Sequence, residues 1–417
     1  MKLLSGPRLR FVGAALLFLL VLSACGAPIA GESWPGMSTD GKYLYVADKQ
    51  YIFRIDPKPD STLDKRNIEW LAKAPGDAHM YGPPAIGPDK TLYEGAFDHK
   101  AYAFPQTSQP IPTALAPNST TPPTERFIAG GLISNGVLYI GMGDHGMKAY
   151  NIQDNSEKWT FLDTQYGVWC KPLLVQETLY FGSLDHNLYA LDPATGKLKW
   201  KLDLGGAIAG TPLYDNGTMY VGTFNNELIS VSAADHKVIK RFSTKGWVWG
   251  TPVLKGGVLY FGDLSGMVYA LDEQTLTQKW VKNYPDYPGG VRGSPAVVDL
   301  TDDKGEPRTV VFVGSENKYV MSFDAKDGSN FWPAGVSAIA AEDQILSDPV
   351  VSGSNIVFTT LSDNQVVIAY NMKTGQKSWS VSLNEENTRL QTATSVPIGT
   401  DEATAAPAAT ATATGQK

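Results

Sequence analysis

The chain has 417 residues, of which 43% are hydrophobic, 11% aromatic and 18% charged, with a net charge of −7. Globular domains ordinarily carry about 25% charge. The 41 glycines, 19 tyrosines and 10 tryptophans suit a large all-β protein, whose strands favour aromatics and whose turns need glycine. That makeup excludes a disordered chain, a coiled coil and a collagen, and the acidic balance excludes the basic face of a nucleic-acid binder. Two cysteines, Cys25 and Cys170, build no disulfide framework, and no Cys/His cluster offers a structural zinc site.

The first feature along the chain is an address. Lys2, Arg8 and Arg10 precede an apolar run from Phe11 to Leu22, which ends in Leu22-Ser23-Ala24-Cys25. The run is too short for an ordinary membrane-spanning helix and suits a signal-peptide core. Its Leu-Ser-Ala-Cys end resembles a bacterial lipobox; the plainer reading is a secretory signal with a chance cysteine. The resemblance implies that residues 1–24 are removed, that Cys25 carries a diacylglycerol, and that 25–33 form a lipidated tether outside the cytoplasm. Gly26 stands where lipoproteins retained in an inner membrane often carry Asp. The expected place is therefore the periplasmic side of an outer membrane, or the outer face of the cell membrane where only one membrane exists.

From residue 34 to 383 the chain repeats. Thr178-Leu-Tyr-Phe-Gly182, Thr218-Met-Tyr-Val-Gly222 and Val258-Leu-Tyr-Phe-Gly262 each lead through an Asp/Asn-containing turn to a second apolar strand. Weaker copies centre on Ala47, Gly95, Gly141, Gly314 and Thr359. Eight units result, each read as four strands. A short first strand follows a Gly-Thr-Pro-like step, two strands form a hairpin, and a fourth carries Lys-x-Trp or its equivalent. Four antiparallel strands recurring at about 40–45 residues describe a propeller blade, and no stretch shows the sustained helical period of a solenoid. The second unit is damaged: Pro105 to Pro123 contains six prolines and no Trp, so a projecting loop is expected in place of its outer strand. After the last unit, residues 384–417 become an Ala/Thr/Pro-rich segment too poor in apolar residues to offset its ordering entropy, read as a disordered tail.

Ala190-Leu-Asp192-Pro-Ala-Thr195-Gly196-Lys197-Leu-Lys-Trp200 resembles the tryptophan-docking motif of the pyrroloquinoline-quinone (PQQ) type propeller repeat, and Ala369 to Trp379 repeats it with Asn371 for the Asp. In layout the chain is most similar to BamB-like outer-membrane assembly lipoproteins. The resemblance implies an eight-bladed β-propeller in which each docking residue packs on the next blade: Trp70, Trp159, Trp200, Phe242, Trp280, Trp332 and Trp379. It also implies a lipid-anchored protein-binding scaffold, monomeric within a complex with an envelope or membrane protein. The alternative is a PQQ- or sugar-binding module or a relative of the quinoprotein dehydrogenases. Those enzymes sandwich PQQ against adjacent cysteines with Ca²⁺ nearby, and this chain has no adjacent cysteine pair. The expectation is thus no enzyme, no resident cofactor and no metal.

Three further features carry two readings each. Asp98-His99, Asp144-His145 and Asp185-His186 recur at one blade position; they suit either metal ligation or turns that tolerate left-handed backbone. The residue before each Gly-Thr-Pro-like step reads Tyr81, Ala129, Trp169, Ala209, Trp249, Arg292 and Leu346. With Trp247, the residues Tyr81, Trp169, Trp249 and Arg292 have hot-spot composition and form a candidate binding rim, or else plug the channel mouth. Cys170 is either a thiol activated by Lys171 or a small apolar filler. Catalysis finds no candidate residues.

Overall fold

The computed structural model describes residues 35–57, 68–76, 78–107, 111–116, 126–283, 289–302, 304–332, 338–341, 343–362 and 366–382. The signal segment 1–24, the tether with Cys25 and the tail 384–417 lie outside the described residues. The described strands form eight four-stranded antiparallel sheets, each built from four strands in unbroken chain order. The blades run over 36–73, 85–114, 132–161, 173–203, 213–243, 253–282, 296–340 and 350–381. No blade borrows a strand from the other end of the chain. The ring instead closes through side chains: Trp379 of blade 8 is buried among Met37, Leu44, Val46, Phe53 and Ile55 of blade 1. The Thr359 hydroxyl donates to Pro35 O at 2.8 Å beside them.

The second strand of a blade, such as Leu44–Asp48 or Thr178–Gly182, is buried at every position. Both of its faces are covered by neighbouring blades, so it reads as a continuous apolar run rather than an alternating one. Alternation returns in the outermost strand, as in Leu198–Asp203. The anchor glycine ending the second strand has a steric reason. A Cβ on Gly182 would collide with Ile208, a buried residue of the chain entering blade 5, and one on Gly262 with Val291 of blade 7. At these seams the blades close at a distance only glycine allows.

In blade 4 the turn before the outer strand is a side-chain cap. Asp192 Oδ1 accepts from the N–H groups of Ala194 and Thr195 at 3.1 and 2.8 Å and from the Thr195 hydroxyl at 2.8 Å. Gly196 completes the turn at φ +70°, where an L residue is strained. A bulge lies at Ala190 and Leu191, which pair with Trp200 and Leu198 across it. Blade 2 keeps a remnant of its outer strand: Thr113–Ala114 pair with Ala103 and Tyr102. The expected loop thus shortens the strand without abolishing it.

Candidate functional site: the channel mouth

Two sets of aromatic side chains organise the ring, one between blades and one at the end of the central channel. Between blades, Trp159 Nε1 and the Tyr139 hydroxyl both donate to Pro193 O of the next blade, at 3.0 and 3.2 Å. Trp280 and Tyr260 do the same to Ala325 O at 2.9 and 3.2 Å, and Trp332 Nε1 donates to Met372 O at 3.0 Å. Trp200 is less deeply set and stacks on His236, ring centroids 4.5 Å apart; His236 stands where the turns facing Trp159 and Trp280 have Gly196 and Gly328. Trp70 pairs with Arg54 in the backbone register.

Blade 5 corrects one expectation. The docking register in blade 4 is Ala190↔Trp200, and its counterpart in blade 5 is Ser230↔Lys240. Phe242 lies two residues further on, opposite Leu228, and packs edge-on against Tyr269 at 5.8 Å. Phe242 thus still meets blade 6, but the docking position belongs to Lys240, whose Nζ donates to Gln274 O and Thr275 O of blade 6 at 3.2 and 3.3 Å. The repeat motif did not reveal this, because a lysine at that position carries no aromatic signal.

The channel mouth is built from the chain entering each blade and the turn between its second and third strands. Leu264 N donates to Trp247 O, and Val248 N donates back to Thr223 O of blade 5, so mouth loops of adjacent blades interlock. Within each connection one residue is buried, the next faces the mouth, and a small residue follows. The third connection shifts by one position from expectation. Gly143 N bonds Arg126 O just as Leu184 N bonds Gly167 O, which aligns Ile128, not Ala129, with Trp169. The unusual length of the preceding Pro-rich segment hid that register.

The rim residues are partly brought together. Trp169 of blade 4 and Trp249 of blade 6 converge over the small Ala209 of blade 5, centroids 6.0 Å apart. Trp169 Nε1 donates to Gly143 O at 3.0 Å. Arg292 lies over Trp249 at 4.3 Å, and its Nε and Nη2 reach Glu316 Oε1 at 2.9 and 2.6 Å. Tyr81 is separate from this arc and packs on Phe97 at 4.6 Å. Trp247 stacks face to face on Phe224 at 4.8 Å, and Phe224 touches Trp249 at 4.9 Å. Trp169 and Trp249 are half-buried in this arc, as a plug would be, whereas Trp247 is 37% exposed. Leu162 at 53% and Tyr166 at 49% exposure stand on the connection into blade 4, on the same face. Sequence reasoning missed Leu162, Tyr166 and Phe224. Phe224 had a signal: it opens its turn where Leu184 and Leu264 open theirs.

The Asp-His pairs hold turns. Asp185 accepts from Gln165 N, Asn187 N and the Tyr189 hydroxyl at 2.8, 3.1 and 2.7 Å. Burial pushes its carboxyl up, and these donors more than offset that, leaving it below the usual range. Asp98 accepts from the Tyr102 hydroxyl, and Asp144 from the Arg126 guanidinium. His99 and His186 take φ of 71° and 76°. Among the described residues no three His, Cys, Asp or Glu side chains gather as metal ligands. Cys170 is 3% exposed, its Sγ 3.4 Å from Gly182 O, and burial pushes its thiol up to about 12. That is an inert thiol filling a position held by glycine in blades 5 and 6.

Comparison with known proteins agrees with this architecture. No curated protein matches the chain. The crystal structure of BamB from Moraxella catarrhalis superposes with a TM-score of 0.60 at 14% identity, covering 80% of this chain and 92% of that one. The computationally designed Ika8 protein superposes with a TM-score of 0.61 at 11% identity, covering 84% and 97%. At these identities the likeness is one of fold. The family model described as outer membrane protein assembly factor BamB matches residues 120–207, 184–304 and 304–415, more than half of the chain. The chain belongs to the family of the outer membrane protein assembly factor BamB.

Proposed function

We propose that this chain is a lipid-anchored scaffold of the cell envelope, serving outer-membrane protein assembly and engaging a partner protein through the channel-mouth face. One observation carries the choice of face: Leu162, Tyr166 and Trp247 are solvent-exposed together on mouth loops of blades 4 and 6, while the interblade tryptophans 159, 280, 332 and 379 are buried. Exposed large aromatics on rigid loops are the composition of interface hot spots. Family membership supports the assembly role, and the Leu22-Ser23-Ala24-Cys25 end supports lipid anchoring at Cys25 and removal of residues 1–24. Residues 34–383 are then the working propeller and 384–417 a tail. The role is binding rather than catalysis, without resident quinone or metal.

Gentle solubilisation and co-purification test the reading. A barrel-assembly complex in the eluate supports it. A bound quinone chromophore, or dye-linked sugar or alcohol oxidation after loading with PQQ and Ca²⁺, overturns it. Cys25→Ser tests the anchor. A diacyl group contributes about 0.8 kcal/mol per buried CH₂, so the variant is expected unprocessed or in the soluble fraction. Retention on salt-washed membranes as mature protein would show that something other than the lipid holds it there.

A further inference from the structure

Directly after the small residue of each mouth connection comes one residue on the channel wall. For blades 2 to 8 these are Pro83, Gly130, Lys171, Thr211, Thr251, Ser294 and Asp348. The innermost strands that carry them surround the axis, and their backbones touch from blade to blade: Gly210 meets Gly250, Gly250 meets Gly293, and Gly293 meets Ser347. Hydrogen bonds join the polar arc. The Thr211 hydroxyl donates to Lys171 O at 2.8 Å, Thr251 N to Ser294 Oγ at 2.9 Å, and Ser294 N to Asp348 Oδ1 at 2.6 Å.

The two ends of this arc are oppositely charged. Lys171 belongs to blade 4 and Asp348 to blade 8 of an eight-membered ring, so they stand across the channel from each other. Both are exposed to solvent. Yet burial among the surrounding blades lowers the Lys171 ammonium and raises the Asp348 carboxyl, the latter only partly offset by Ser294. A side chain that water reaches and protein still desolvates stands in a walled lumen, not on an outer surface. Among the described residues neither group has a counter-ion. Charges held in such a lumen without partners are costly.

We propose that the central channel binds a small dipolar ligand, its anionic group against Lys171 and its cationic group against Asp348, with Thr211 and Thr251 between. Such a ligand returns a counter-ion to both groups at once. A simple anion or cation satisfies one and leaves the other uncompensated. The site is independent of the scaffold reading, since it uses the lumen and not the exposed mouth loops.

Calorimetric titration of the full chain with diglycine, triglycine and tetraglycine tests this, each beside its N-acetylated, C-amidated form. Extended peptides gain about 3.3–3.6 Å per residue, so the series samples the separation of the two charges. At least one free peptide is expected to bind and its capped form not to. Lys171→Met and Asp348→Asn are each expected to weaken binding about tenfold or more, and Lys171→Arg to retain it, which separates loss of charge from loss of fold. No binding by any peptide, equal binding of free and capped forms, or unaltered binding by both neutral variants would overturn the proposal.

Discussion

Trp280 and Trp247 are the same residue type doing opposite work in blade 6, one on its outer strand and one on the loop that enters it. Trp280 is 6% exposed, donates to Ala325 O and lies against the Gly328 turn of blade 7. Trp247 is 37% exposed and covers only one face, on Phe224. The outer seam repeats around the ring, and the mouth does not. Where a position recurs blade after blade, packing sets it. Where blades differ at one position, as at Tyr81, Ile128, Trp169, Ala209, Trp249, Arg292 and Leu346, packing alone does not choose the residue, and that freedom is available to recognition.

The largest effect that could break this contrast is at the seam. Trp280→Ala is expected to cost about 3–5 kcal/mol, read as a lower denaturant midpoint, because it opens a cavity and leaves the Ala325 carbonyl with one donor fewer. Trp200→Ala should cost less, since Trp200 is only half-buried and rests on an imidazole. A Trp200 cost equal to that of Trp280 would mean that hydrogen bonding and depth do not grade the seams.

Lys240→Met sharpens the comparison at the seam between blades 5 and 6, where a lysine holds the docking position. It removes two hydrogen bonds to blade 6 and is expected to cost about 0.5–1.5 kcal/mol. Lys240→Trp, which restores the repeat, should recover that loss or exceed it. Destabilisation by both variants would show that this seam has been shaped around the ammonium.

Glu94 is a further break in the repeat, inside the core. Its counterparts are Val46, Ile140, Phe181, Val221, Phe261, Val313 and Phe358. Its side chain is 1% exposed, and neither oxygen makes a full hydrogen bond. Burial pushes the carboxyl well above its ordinary 4.5, and the nearby N–H groups of Gly95 and Gly82 only partly oppose that. A raised folded value means the protonated form is favoured by folding. The stabilisation is therefore complete below the unfolded value and is lost as pH rises toward the folded one. Wild type should lose stability over that upward window, and Glu94→Gln should lose less. Identical pH profiles from urea midpoints would show that Glu94 is not the group responsible.

Most of the fold could be read from the chain because its signals are local. The Asp192-to-Gly196 turn, the anchor glycine and the docking tryptophan each act within a few residues of their own position. The misplacements arose where a register shifts without a local mark. The Pro-rich segment before blade 3 displaced Ile128 by one residue, and Lys240 replaced an aromatic in blade 5. The mouth was only half legible for a different reason. Its residues could be named from the repeat, but which ones pack together and which stay exposed depends on blades 4, 5 and 6 meeting over Ala209. The pairing of Arg292 with Glu316 and the facing of Lys171 and Asp348 likewise join segments distant in sequence.

The central claim is that the mouth face binds while the seams hold. It is tested most directly by co-purifying partner with the double variant Tyr166→Ala, Trp247→Ala, measured beside its melting midpoint. Removing side chains this exposed should leave the midpoint close to wild type, while partner recovery falls by about tenfold or more, the loss expected for hot-spot anchors. Undiminished partner recovery with an unchanged midpoint would contradict the account.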